Sequence, residues 1–268
     1  MTGQQATNHL PSPARIITPM KNVWTIAKRE FNMYFVSPVA YAVAFAFLGI
    51  LGLIFYANLV QSALGGGFGG GSPNFVQWVL SPFVTLMLFL SPGITMRLMS
   101  EEQRTGTVEL LLTAPVREWE LVTGKWLAAF GFMAVIVFVT GLYALVLNNY
   151  TTPGLDRGAL LVAYAGLLFM IGSMLAVGVF ASALFANQIA AFFTTLALLI
   201  AFLWLISLPF QNDTGAAATV FNYIDFSGHF YNNFYNGVVD LSDVVYFTSV
   251  IALFLFLATR VVESRRWR

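Results

Sequence analysis

Six long apolar stretches constrain this chain more than any other feature of its sequence. No ionisable side chain lies in the middle of any of them. Each is long enough to cross a bilayer as a helix, which takes about 20 apolar residues for a hydrocarbon core of roughly 30 Å. The six predicted transmembrane helices are Val39–Val60, Trp78–Met99, Trp126–Leu147, Ala159–Phe185, Ile189–Phe210 and Val244–Val262.

Composition indicates that lipid covers much of the surface. Of the 268 residues, 58% are hydrophobic and only 9% are charged, whereas about a quarter are charged in a soluble domain. With a net charge of +1, the chain lacks the basic stripe that nucleic-acid binding requires. Cysteine is absent, which excludes disulfides, thiolate catalysis and Cys-ligated metals. We therefore predict an all-α integral membrane fold.

Two regions are predicted along the chain. Residues 1–20 are polar and lack the continuous apolar core of a signal peptide. We expect a flexible cytoplasmic tail there, and an uncleaved anchor in the first span. Residues 21–268 form the predicted transmembrane domain, in which the glycine run at 65–71 predicts a flexible external loop.

The distribution of positive charge predicts the orientation. With a cytoplasmic N-terminus, only Arg157 among the 13 lysines and arginines falls in an external segment. Membrane proteins carry such an excess of positive charge on their cytoplasmic side, so both termini are predicted to be cytoplasmic. We expect a multi-pass protein of the bacterial inner (plasma) membrane.

Several function classes need groups that the spans lack. Proton relays, voltage sensors and intramembrane proteases place ionisable side chains at depth, and none lies there. The one Gly-Lys pair, Gly124-Lys125, is followed by Trp126 rather than by Ser or Thr, so it is not a P-loop. We predict no enzyme activity and no bound cofactor or metal in this chain, and we expect His229 to be an ordinary surface residue. Any energy from ATP would enter through a separate protein.

An amphipathic helix is predicted at Lys21–Val36, before the first span. Its apolar side chains share one face: Trp24, Ala27, Phe31, Tyr34 and Phe35. Lys28, Arg29 and Asn32 lie away from that face, as in a helix that rests at the membrane surface. The helix is either a simple anchor or also a contact for a cytoplasmic partner.

The cytoplasmic loop Ser100–Gly124 carries a second candidate contact. Thr107 is a plausible N-cap for a short helix that ends at Thr113, because Pro115 prevents its continuation. One helical turn cannot hide three consecutive leucines, Leu110–Leu112, from water. They predict either a binding surface or a segment folded back against the spans.

The external segment between the last two spans is rich in aromatic residues. Tyr223, Phe226, Phe230 and Phe234 recur there at helical spacing, which is typical of an interfacial anchor and also fits a gate over a translocation path.

Small residues and prolines mark two of the spans. Pro82 and Pro92 predict kinks in the second span. Gly178 and Ser182 in the fourth span predict close helix packing.

Four blocks of the sequence resemble the ABC-2-type permease family, most closely its gliding-motility-associated branch. The blocks are Lys28-Arg29-Glu30-Phe31 with Ser37-Pro38, Pro92 to Arg97 with Glu101-Glu102 and Gly106 to Thr113, Asn187-Gln188-Ile189, and Gly228-His229-Phe230. The resemblance implies a membrane subunit that couples ATP hydrolysis by a separate ATPase subunit, which holds ATP and Mg, to export across the inner membrane. It also implies a second membrane subunit, identical or homologous, so that the assembly is a dimer.

The resemblance also implies roles for particular residues. The implied ATPase-coupling loop comprises Glu101, Glu102, Arg104, Gly106, Thr107, Glu109, Leu110, Leu111, Leu112 and Glu118. The implied elbow helix beside it carries Trp24, Lys28, Arg29, Glu30, Phe31 and Tyr34. The external aromatic segment would be a partly re-entrant helix pair. The rival hypothesis is a membrane scaffold or mechanotransmission subunit that an ATPase drives without transport, and the cargo stays open.

Overall fold

The computed structural model describes residues 19–64, 76–106, 117–150, 155–206, 208–210 and 215–265, and these contain helices and no strand. Most of the tail at 1–20, the glycine run at 65–71 and the coupling segment from Thr107 to Thr113, with Leu110–Leu112, lie outside the described residues.

Ten α-helices follow one another along the described part of the chain. They are α1 (Pro19–Val36), α2 (Pro38–Leu64), α3 (Ser81–Thr95), α4 (Ser100–Thr105), α5 (Glu118–Tyr150), α6 (Arg157–Leu184), α7 (Gln188–Ile200), α8 (Ala216–Ile224), α9 (Phe226–Asn232) and α10 (Leu241–Arg265). Two π-helical turns, Val76–Leu80 and Ala201–Leu205, and two 3₁₀ turns, Leu208–Phe210 and Phe234–Asn236, complete the pattern.

Six helical segments are long and apolar enough to cross a membrane, which confirms the predicted all-α membrane fold. In chain order, spans one to six are Pro38–Gln61, Trp78–Thr105, Glu118–Asn149, Arg157–Leu184, Gln188–Leu205 and Leu241–Arg265.

The helices that carry spans three and five differ in extent from the predicted spans. The helix of span three already begins at Glu118, ahead of Trp126, and polar residues of its first two turns are paired within the protein. The helix of span five ends in a π-helical turn at Leu205, and a 3₁₀ turn over Leu208–Phe210 follows.

Span four is the centre of the bundle. In the most apolar 18-residue stretch of span four, 61% of the residues are buried. The corresponding share is 17% in span one and 22% in span five. It packs against spans two, three, five and six. Spans one and five therefore lie at the periphery and present most of their apolar surface outward.

Span two is interrupted near the end that leads to α4. Pro92 stays inside α3, where its carbonyl still accepts the amide of Met96 at 2.9 Å, and the helix ends at Thr95. A turn over residues 96–99 separates α3 from α4. The break therefore lies one turn after Pro92 rather than at either proline, because the ring removes a hydrogen bond in the preceding turn without ending the helix.

The backbone groups at this break form hydrogen bonds with a side chain of span four. The Ser182 hydroxyl accepts the amides of Met99 and Ser100 at 3.1 and 3.2 Å and donates to the Met96 carbonyl at 3.2 Å. A Cβ at Gly178 would lie 2.2 Å from Oγ1 of Thr95, so only glycine permits this approach. The close packing predicted from Gly178 and Ser182 is confirmed.

The two ends of the bundle carry different elements. We call the end that carries α1, α4, the start of span three and the end of span six the elbow side. Arg265 donates there to the carbonyls of Ala183 and Leu184 at 3.3 and 2.9 Å. The opposite end carries the segment between spans five and six, with α8 and α9.

Candidate functional site

The elbow helix α1 packs along the first half of span three. A Cβ at Gly124 would lie 2.8 Å from Cγ2 of Ile26 and 3.2 Å from the carbonyl oxygen of Val23, so the two helices touch at this glycine. Farther along, the ring of Tyr34 stacks on Phe132, with centroids 4.8 Å apart. The elbow helix is therefore held by protein contacts along its length.

The apolar face of α1 differs in part from the prediction. Ala27 is 4% exposed, and Phe31 and Phe35 pack toward span three, whereas Trp24 is 65% exposed. The apolar side contacts span three rather than lipid alone, because the glycines of that span leave room for it. Burial, with Glu30 nearby, raises the pKa of Tyr34, so its hydroxyl stays protonated.

Four charged side chains meet beneath this helix, and we call them the elbow cluster: Arg29, Glu30, Glu102 and Lys125. Lys125 Nζ lies 2.8 Å from Oε1 of Glu102 and 3.5 Å from Oε1 of Glu30, and Arg29 lies 2.8 Å from the same oxygen of Glu30. Lys125 is 3% exposed. The cluster joins α1, α4 and span three, and its two cations, buried Lys125 and exposed Arg29, balance its two carboxylates.

A second polar contact ties α1 to the same place. Glu120, 2% exposed, accepts the side-chain amide of Asn22 at 2.9 Å and the backbone amide of Arg117 at 3.2 Å. Two polar contacts therefore join the start of span three to the elbow helix: Glu120 with Asn22, and Lys125 with Glu30.

The structure brings together only part of the predicted coupling loop. Glu102 joins Arg29 and Glu30 in the elbow cluster, while Glu101 and Arg104 are exposed. Gly106 ends α4 with φ +70°, a conformation that glycine adopts without strain.

The other predicted residues of the coupling loop and of the elbow helix lie in different places. Glu118 is the first residue of α5. Lys28 is exposed on α1. Thr107, Glu109, Leu110, Leu111 and Leu112 lie outside the described residues.

A groove opens beside the elbow cluster, and we call it the elbow groove. Its volume is about 940 Å³, and its walls come from α1, the start of span one, the second half of span two and span three. Met33, Val39 and Phe89 on its rim are 50–56% exposed, so it opens sideways, toward where lipid would lie.

The opposite end holds the predicted aromatic segment, which is not one helix. Tyr223 lies in the last turn of α8, Phe226 and Phe230 lie on α9, and Phe234 begins a 3₁₀ turn. The three phenylalanines are 0–1% exposed, and Tyr223 is 52% exposed. The interpretation of the phenylalanines as interfacial anchors is wrong, because they fill space inside the protein. A gating role stays a prediction and would require the segment to lift.

His229 is buried rather than at the surface, which corrects the prediction. Its Nδ1 lies 2.6 Å from Oδ1 of Asp243 and its Nε2 lies 2.8 Å from the Tyr223 carbonyl oxygen. Asn233 donates to the other oxygen of Asp243 at 2.8 Å. Both ring nitrogens therefore face oxygen atoms, and the pair fastens the external segment to the start of span six.

Asp240 caps the start of span six. Its carboxylate accepts the backbone amide of Ser242 at 3.0 Å, and that bond, with the Ser242 hydroxyl, lowers the pKa of Asp240. The carboxylate is therefore ionised at neutral pH, where it stabilises the N-terminus of the helix.

A comparison with protein families decides which class of membrane protein this is. Residues 68–261 match the family described as ABC-2 family transporter protein. The chain belongs to this ABC-2 family. The match runs from before span two into span six and includes Glu102, Lys125 and the external segment, while α1 and span one precede it. A comparison with curated proteins finds no match.

Membership of the ABC-2 family makes the chain a multi-pass membrane component of a transporter, and the family's domain is not itself an ATPase. The gliding-motility branch stays a prediction.

Sequence reasoning missed four residues that organise the two ends: Glu120, Lys125, His229 and Asp243. Glu120 and Lys125 lie within about one turn of Gly124, where the elbow helix packs, but nothing in the sequence indicates their partners. Nothing local marks the partners of His229 and Asp243, which meet only in three dimensions.

Proposed function

We propose that this chain is the membrane subunit of an ABC exporter whose ATPase is a separate subunit. In this proposal the elbow side is cytoplasmic, the membrane is the bacterial inner membrane, and ATP and Mg bind to the partner ATPase. Membership of the ABC-2 family supports the transporter role, and the positive-inside distribution supports the orientation.

The elbow cluster carries the coupling part of the proposal. In the sequence, residues 107–116 lie between α4 and the start of span three. Lys125, at the start of span three, pairs with Glu102 on α4 and with Glu30 on the elbow helix. A push on the loop would therefore move α4, the start of span three and α1 together rather than bend one of them.

The packing of the spans supports a second membrane subunit. Spans one and five expose large apolar side chains, including Phe45, Leu53 and Phe193 at 62–81%. Lipid covers such surfaces in a monomer, and an identical or homologous subunit covers part of them in the proposed dimer. The mechanotransmission alternative needs the same ATPase and the same coupling loop, and differs only in lacking a moving cargo.

The proposal is tested by affinity purification of the tagged full chain from its native membrane in mild detergent, followed by mass spectrometry. We expect a soluble P-loop ATPase in stoichiometric amount, together with a second copy or a second permease. Leu111→Asp should lose the ATPase, while Val239→Asp, exposed on the opposite end, should keep it. If wild type brings down no ATPase under conditions that preserve other ABC complexes, the exporter mechanism is wrong.

A further inference from the structure

The elbow groove combines a charged end with an apolar end. Arg97 and Glu101 lie near the elbow cluster. Val43, Phe89 and Leu90 line the part of the groove that runs along the spans toward their midpoints. Phe89 and Arg97 are eight positions apart, so the two ends are roughly 12 Å apart along span two. This is the polarity profile of the half-bilayer from headgroup to acyl chain.

The charges that face the groove are only partly neutralised. Arg29, Glu30, Glu102 and Lys125 pair with one another in the elbow cluster. Within the described residues, Arg97 and Glu101 form no ion pair, although both are exposed and line the groove. One guanidinium and one carboxylate are therefore free to bind a ligand that carries one charge of each sign.

We propose that the elbow groove binds a phospholipid with a phosphoethanolamine headgroup. The guanidinium of Arg97 binds the phosphate, for which its planar donor set is suited, and the carboxylate of Glu101 binds the ammonium. The first part of an acyl chain lies against Phe89 and Leu90. A volume of about 940 Å³ is at the upper end of the range for small-molecule pockets. A lipid with only a negative headgroup would leave Glu101 facing that charge.

The site rests on the membrane topology proposed above, which sets the leaflet that supplies the lipid, and not on any ATPase. Its test therefore uses the full chain alone. The purified protein is exchanged into detergent that contains phosphatidylethanolamine or phosphatidylglycerol with the same acyl chains. Native mass spectrometry then counts the lipids bound to each chain. We expect one phosphatidylethanolamine to bind at least about tenfold more tightly than phosphatidylglycerol, since one charge-assisted contact is worth about that factor.

Gly93 offers a way to fill the groove without damaging the fold. It lines the groove, and a Cβ there would meet no atom within 4 Å. Gly93→Trp should therefore lower phosphatidylethanolamine binding at least about tenfold while the protein remains monodisperse. Gly49→Trp is the matched control, because Gly49 also has no atom within 4 Å of a Cβ and lies outside the groove. It should bind the lipid as wild type does.

Two charge variants test the headgroup assignment. Arg97→Gln should weaken both lipids about tenfold, whereas Glu101→Gln should remove the preference for phosphatidylethanolamine and leave phosphatidylglycerol binding unchanged or stronger. The proposal is overturned if wild type binds both lipids equally, or if Gly93→Trp keeps the lipid. It is also overturned if Gly93→Cys forms an efficient disulfide between two copies of this otherwise cysteine-free chain, because the groove would then be an interface.

Discussion

Replacing Lys125, which is buried on the elbow side, by methionine should lower the free energy of unfolding by about 3 kcal/mol. Methionine keeps the length and apolar stem of the side chain, but it leaves Glu102 without the cation that lies 2.8 Å away. Removing one partner of a buried pair costs about 3–5 kcal/mol. The lower end applies here, because Glu30 keeps Arg29 and the Glu102 side chain is 17% exposed.

A double-mutant cycle separates the charge effect from lost packing. Glu102→Gln in the Lys125→Met background removes the carboxylate that has lost Lys125, so it should recover about 2 kcal/mol of the loss. The free energy of unfolding is measured by titration with SDS in mixed micelles, with fluorescence of the six tryptophans as the signal. Lys28→Met is the control, since Lys28 is exposed on the elbow helix, and it should change stability by less than about 0.5 kcal/mol. If the two substitutions at 102 and 125 add within about 0.5 kcal/mol, the elbow cluster is not a coupled unit.

Three further substitutions probe other parts of the fold in the same unfolding assay. Gly178→Ala should cost about 1–3 kcal/mol, because its Cβ would lie 2.2 Å from a buried side chain of span two. Gly141→Ala, where a Cβ meets no atom within 4 Å, should be neutral or stabilising, and equal effects at the two glycines would contradict the close helix approach. Ser182→Ala should cost about 2 kcal/mol, since two buried amides of the break in span two lose their acceptor; an unchanged stability would mean that the break is satisfied in another way. His229→Ala should cost about 2 kcal/mol, because Oδ1 of Asp243, whose side chain is 1% exposed, loses its contact with the ring and keeps only the bond from Asn233 to Oδ2. Adding Asp243→Asn should recover part of that loss, and no recovery would argue against a coupled His229–Asp243 contact.

The spans could be predicted from the sequence because their cause is local. An apolar stretch of sufficient length forms a helix in lipid whatever its neighbours are, since the backbone must satisfy its own hydrogen bonds there. The close approach of spans two and four was also readable, because Gly178 and Ser182 lie one turn apart on one face. Both predictions depend on spacing within a single helix.

The elbow cluster could not be predicted because its members come from three distant segments. Glu30, Glu102 and Lys125 each look like ordinary charges beside a membrane helix, and only the packing of α1 on span three brings them together. The same reason explains why the helical turns between Glu118 and Trp126 were not predicted. The polar first turns of span three resemble a loop until Asn22 and Glu102 supply partners for Glu120 and Lys125.

The most direct test of the account is site-specific photo-crosslinking in native membranes. A photoreactive amino acid replaces Leu111 in the proposed coupling loop, and in a second variant it replaces Val239, which is 58% exposed on the opposite end. After illumination, the crosslinked partners are identified by mass spectrometry. We expect position 111 to capture a P-loop ATPase and position 239 not to capture it. Capture of the ATPase from position 239, or from neither position in membranes that contain an assembled complex, would contradict the claim that ATP energy enters this chain through its elbow side.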